Sequence, residues 1–204
     1  MEEDAVQAEL QRVQDVIDPS LTPLQSRWNK EVRIEPFRDM LGNKEFTCEI
    51  ALDRSLLGSC LRWVVYLHEL LHAFSVGYEQ AVYYEQFRGW EEGVIEALER
   101  LLRPGMIDAL GIFLDRFALA EIEAYDHLND YNRYVAALER IRTTLGYRED
   151  ERQAFYLWLL SVPLRNRSKA VLKSALDLSR PSHPALRKQM LSAIAEADAQ
   201  LRSL

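Results

Sequence analysis

The run from Ser59 to Ser75 constrains this chain more than any other stretch. At its centre is His68-Glu69-Leu70-Leu71-His72, an H-E-x-x-H pattern. On a helix, residues four apart lie one turn above each other, so both imidazoles leave the same face. Glu69 stands beside them. Neutral imidazole nitrogens and carboxylates are ligand types that Zn²⁺ prefers, and a third protein ligand would leave one tetrahedral position for water. A bound ion lowers the pKa of that water, and a neighbouring glutamate takes its proton. The spacing therefore marks His68 and His72 as candidate metal ligands and Glu69 as candidate general base.

The flanks predict a buried amphipathic helix. Trp63, Val64, Leu67, Leu71 and Phe74 recur at intervals of three and four, no proline interrupts them, and Gly77 is placed to stop the run. Both histidines continue the apolar stripe. The competing reading is a pair of core histidines satisfied by hydrogen bonds, and a third ligand is what separates the two. Downstream, residues 89 to 102 read GWEEGVIEALERLL. Glu91 stands three and four residues before Val94 and Ile95, in the middle of the apolar stripe, with Glu92 about 100° round the helix. Periodicity alone favours Glu91.

Taken together, these stretches resemble the gluzincin metallopeptidases, in which H-E-x-x-H is followed by a glutamate on a second helix. Thermolysin-like members place nineteen residues between the second histidine and that glutamate, which counts to Glu92. Aminopeptidase-like members place eighteen, which counts to Glu91, and often write the ligand within Trp-x-x-Glu-Gly. Glu92 precedes Gly93, as in the Glu-Gly form. The thermolysin-like pattern also carries apolar residues at the places of Val94, Leu98, Leu101 and Leu102, and an acidic residue four after the ligand, here Glu96.

The resemblance implies Zn²⁺ held by His68, His72 and Glu92. It implies that Glu96 orients a metal-binding histidine, since such rings commonly donate their second N–H to a carboxylate. It also implies a zinc peptidase acting on a peptide or protein, with Glu69 as base. It covers about residues 46 to 102 and, more weakly, as far as 146. Small bacterial gluzincin-like proteins with a Tyr-initiated helix ending in Gly are similar to the stretch from Tyr131 to Gly146. By that likeness Tyr131 is the hydroxyl that stabilises the oxyanion. Tyr125, His127 and Tyr134 are the other candidates, with Tyr134 reading as core and His127 as surface. The same residues also allow a regulatory or binding protein that keeps the zincin fold and cleaves one specific partner, or nothing.

The remaining pattern predicts an α+β fold, mainly α. A helix over 2–17 stops at Asp18-Pro19, and a loop follows to residue 30. Val32 and Ile34 mark a strand that Pro36 ends, Leu41-Gly42-Asn43 a turn, and the alternation of Phe46, Cys48, Ile50 and Leu52 a second strand. The two strands form a small antiparallel sheet, and by resemblance residues 46–52 are a cleft wall. Tyr83, Tyr84 and Phe87 are candidates to shape a pocket. Pro104-Gly105 ends the Glu92 helix. Helices follow over 106–128, 130–145, 149–161, 167–178 and 184–203. This gives a zincin-like part over 1–104 and a helical subdomain over 105–204, packed as one unit.

Composition narrows the setting. The 204 residues are 48% apolar and 28% charged, ordinary for a globular chain able to bury a core. Cys48 and Cys60 are too few for a disulfide framework and are not at zinc-knuckle spacing, so both read as reduced thiols. A net charge of −7 argues against general nucleic-acid binding. Arg165, Arg167, Lys169 and Lys173 read as a solvated face, and Glu99 as part of another. No apolar run is long enough to span a membrane, and the start lacks the basic and apolar regions of a secretion signal. The expected location is cytoplasmic.

Overall fold

The computed structural model describes residues 2–37, 41–78, 81–178 and 184–202, which form eight α-helices and three short strands. The fold is mainly helical with a small mixed sheet. Two compact units divide it: one takes the chain up to Phe74 and then Leu98–Asn129, the other Ser75–Ala97 and the chain from Asp130 onward. Among the described residues no helix is long and apolar enough to cross a membrane.

The first unit starts with α1 (Glu2–Leu21). Its first turn carries Glu2, Glu3 and Asp4, favourable at the positive end of a helix. Val6, Leu10, Val13, Ile17 and Leu21 are buried along one face. The helix runs past the stop expected at Asp18-Pro19. Pro19 removes one N–H from the ladder, yet Leu21 is buried and holds the last turn in the core.

The sheet differs from the expected antiparallel pair. β1 (Val32–Glu35), β2 (Gly42–Lys44) and β3 (Ile50–Asp53) stand in the order β1-β3-β2, with β1 parallel and β2 antiparallel to β3. The segment expected to turn at 41–43 contributes to β2, and the actual turn lies at 45–49. There Glu45 N–H donates to Glu49 O and Cys48 N–H to Glu45 O, both at 2.8 Å, with Cys48 at φ +70°. These local bonds override the alternation that predicted a strand from Phe46. Residues 46–52 are thus not one strand, and β3 is paired on both sides. The candidate cleft wall is corrected accordingly: the outer strands are β1 and β2. Alternation reports an extended chain but not its direction, which here follows from the tight β2–β3 hairpin.

Asp53 ends β3 by accepting Phe37 N–H at 2.6 Å and Ser55 N–H at 2.8 Å. Hydrogen bonds from Ser55 and then Phe37 hold its carboxyl below the usual range. A short 3-10 turn (Arg54–Gly58) leads to α2 (Arg62–Phe74). Leu67, Leu70, Leu71 and Ala73 have no solvent exposure. Cys60 lies just before this helix rather than in it, and both cysteines are free thiols. Burial and the Glu121 carboxylate push the Cys60 thiol up, away from ionisation.

Helix α3 (Ala81–Ala109) contributes to both units and departs from helical geometry only at Phe87. It does not end at Pro104-Gly105. Burial of Met106 carries it one turn further, and Gly111, at φ +65°, closes it through Gly111 N–H to Asp108 O and Ile112 N–H to Ile107 O. The helix expected over 106–128 is therefore split. α4 (Arg116–Leu128) starts afresh, with Asp115 Oδ1 accepting the N–H groups of Phe117 and Ala118 at 2.9 Å.

The second unit joins the first half of α3 to α5 (Asn132–Thr144), α6 (Arg152–Ser161), α7 (Arg167–Leu178) and α8 (Pro184–Arg202). These follow the sequence expectation closely, and residue 203 and His183 lie outside the described residues. Gly89 and Gly93, one turn apart, let α5 come against the α3 backbone. A Cβ at Gly93 would stand 2.8 Å from Leu138 Cδ1 and 3.0 Å from Tyr134 Cβ; one at Gly89 would stand 2.8 Å from Tyr134 Cδ1. Trp90 Nε1 donates to Asp198 at 2.8 Å, tying α3 to α8. Glu139 on α5 accepts from Tyr156 at 2.5 Å, from Arg152 at 2.8 Å and from Arg142 at 2.9 Å. Burial acts to raise its pKa, but these donors outweigh it and hold the carboxyl below its ordinary value.

Gly93→Ala is expected to cost about 1–3 kcal/mol in denaturant unfolding, through overpacking against Tyr134 and Leu138. Gly105→Ala, also within α3 but with nothing near its added methyl, is expected to be neutral or to stabilise by up to about 1 kcal/mol. Glu139 contributes stability that is present above its unfolded-state pKa and lost as pH falls through the lower folded value. Unfolding midpoints measured from neutral to acid pH should therefore fall less steeply in Glu139→Gln than in the parent.

Candidate metal centre

His68, Glu69 and His72 all stand on α2. Four-residue spacing stacks the two imidazoles on one face, with ring centroids 5.0 Å apart. His68 is half-buried, whereas Glu69 and His72 are buried. The apolar residues interleaved with them fix the helix against the core, so the rings leave it in a set direction. The Glu69 carboxylate lies against β2: a Cβ built on Gly42 would stand 3.0 Å from Glu69 Oε1 and 2.6 Å from Val65 Cγ1. Only a residue without a side chain permits this approach.

Glu91 and Glu92 have different partners. Glu91 is fully buried and joined to Arg167. Arg167 Nη1 donates to Glu91 Oε2 at 2.7 Å, Arg167 Nη2 to Ser75 Oγ at 2.6 Å, and Ser75 Oγ donates to Glu91 Oε2 at 2.7 Å. Arg167 Nη1 also donates to Trp90 O at 3.0 Å. Burial pulls the Arg167 pKa down while Glu91 opposes the fall. Arg167 was expected on a solvated face and is instead a core residue, because its partner on α3 is buried where the apolar stripe put it. The residue that periodicity offered as ligand is taken up by this ion pair.

Glu92, about 100° further round α3, points elsewhere. Ligand-capable atoms of His68, His72 and Glu92 all lie within 4.8 Å of one another. A tetrahedral ion with bonds of about 2 Å sets its donors roughly 3.4 Å apart, so the three side chains fit one such ion. Two imidazoles and one carboxylate are also a donor set suited to zinc.

Around Glu92 the second unit gathers Tyr84, which the sequence offered as a pocket residue, and Arg88, to which it gave no role. Tyr84 and Arg88 precede it at eight and four residues on α3. Tyr84 Oη donates to Glu92 Oε1 in a short hydrogen bond. Burial, with the Glu92 carboxylate beside it, pushes the phenol well above its ordinary pKa, so it stays protonated as the donor. Tyr84 also packs edge-on to Tyr78, with centroids 5.2 Å apart. The spacing of four, Tyr84-Arg88-Glu92, was the available signal, hidden because helix α3 starts eight residues before Gly89.

Tyr131 stands just before α5. Arg88 Nη2 donates to its hydroxyl at 3.4 Å, and its ring stacks on Tyr134 at 6.1 Å. Tyr134 is buried, as its place on the apolar face predicts. Tyr125 is half-buried and His127 exposed on α4. Glu96 is buried, and its carboxylate lies within 4.8 Å of those of Glu99 and Asp126. Glu99 is not on a solvated face. It is fully buried and paired with Arg103, which also binds Asp126 at 2.8 and 2.9 Å.

Compared with known proteins, the chain matches no family model, no curated protein and no solved structure.

Breaking one side of the buried ion pair tests its place in the structure. Arg167→Met leaves Glu91 buried without its cation and is expected to cost about 3–5 kcal/mol in unfolding measurements. The double variant Arg167→Met/Glu91→Leu should recover most of that loss.

Proposed function

We propose that this chain is a zinc-dependent peptidase of gluzincin type, in which His68, His72 and Glu92 hold the ion and Glu69 is the general base. The single observation that carries this reading is the convergence of the three donor groups within 4.8 Å, together with a glutamate next to the first histidine. When bound, zinc supplies a Lewis acid and lowers the pKa of a water at its open position. Glu69 takes a proton from the attacking water and passes it to the leaving amine. Its carboxylate is buried and backed by the β2 backbone, which limits its motion and its contact with bulk solvent.

A peptide carbonyl gains negative charge as it is attacked, and a hydroxyl donor near it stabilises that charge. Tyr131 fills this role in the proposal, with Arg88 beside its oxygen as a cation that favours the developing charge. Glu96 orients a ligand histidine. Peptide and protein chains are the substrate class. β2, an outer strand lying against Glu69, is the edge along which an extended substrate backbone pairs. Residues 46–52, a turn followed by an interior strand, do not offer such an edge.

Metal analysis of purified protein should find about one zinc per chain. Glu69→Gln is expected to retain the zinc and lose at least ~10²-fold of peptide hydrolysis, whereas His68→Ala should lose the zinc as well. Hydrolysis undiminished in Glu69→Gln would remove Glu69 from the mechanism. Zinc content unchanged in His68→Ala would remove the metal centre.

A further inference from the structure

Glu92 accepts a hydrogen bond from Tyr84, eight residues earlier on the same helix. We infer that Tyr84 is a positioning residue for the Glu92 ligand, its phenol selecting which carboxylate oxygen faces the metal; this rests on the zinc reading above. The bond runs from Tyr84 Oη to Glu92 Oε1, so it occupies one of the two oxygens and favours ligation through the other.

A carboxylate held this way would offer a bound ion a single donor rather than a chelating pair. Tyr84 is itself held. Its ring packs edge-on to Tyr78, with centroids 5.2 Å apart. The neighbouring tyrosine does something different: Arg165 Nη1 donates to Tyr83 Oη at 3.0 Å. The two adjacent phenols thus provide a test residue and a control within one turn of helix.

The test is zinc affinity, measured on metal-stripped full-length protein by competition with a chromophoric chelator. Tyr84→Phe is expected to weaken zinc binding by ~10–100-fold while leaving the unfolding midpoint of the metal-free protein close to that of the parent. Tyr83→Phe should leave the affinity unchanged. In a Glu92→Ala background Tyr84→Phe should have no further effect, since the group it positions is gone. Cobalt substituted for zinc should show weaker visible absorption in Tyr84→Phe, as a chelating carboxylate raises the coordination number.

Equal zinc affinity in Tyr84→Phe and parent would overturn the inference. So would an equal loss in the Glu92→Ala background, which would show a general structural effect. If Tyr84→Phe does not fold, Tyr84→Leu, which also removes the donor, is judged by the same two comparisons. A parent protein that binds zinc no better than His68→Ala overturns the metal centre, and this inference with it.

Discussion

The buried ion pair between Glu91 and Arg167 fixes the rotation of α3. Both side chains are without solvent exposure, and neither charge is tolerable there alone. With Glu91 drawn to Arg167, Ser75 and the core, the next residue is turned about a quarter of the way round the helix. Glu92 then meets Tyr84 rather than the apolar interior. The adjacent glutamates thus have different partners on one helix, the Arg167 cation for Glu91 and the Tyr84 hydroxyl for Glu92.

The glycines act in the same direction. Gly89 and Gly93 bring α5 onto α3 at distances that no side chain would allow, and α5 begins where Tyr131 stands. Gly42 does this for the other half of the proposed centre by letting β2 lie on Glu69. In each case the missing side chain sets how closely a functional group is approached by a neighbouring backbone or ring.

Charged groups in this chain are disposed differently from what composition suggests. The arginines of the second unit largely have defined partners: Arg142 and Arg152 with Glu139, Arg167 with Glu91, Arg202 with Asp198. In the first unit Arg103 pairs with both Glu99 and Asp126. Reading Glu99 or Arg167 as solvated failed because a charge alone does not reveal whether its counter-charge arrives from a distant part of the chain. Burying such residues needs partners separated by as many as 76 positions, and local periodicity carries no information on them.

The sequence by itself determined the α2 helix, the common face of His68 and His72, the adjacency of Glu69, the C-terminal helices and the mainly helical class. All of these follow from spacing along one element, where 3.6 residues per turn leaves little freedom. Only the tertiary structure decided the rest. It split the 46–52 alternation into a turn and an interior strand, ran α1 and α3 through their prolines, and separated Glu91 from Glu92 by their partners. The reason is common to these cases: hydrogen bonds, ion pairs and burial made between remote segments outweigh local preferences of about 1–3 kcal/mol, and a sequence pattern shows which residues need a partner but not which partner they find.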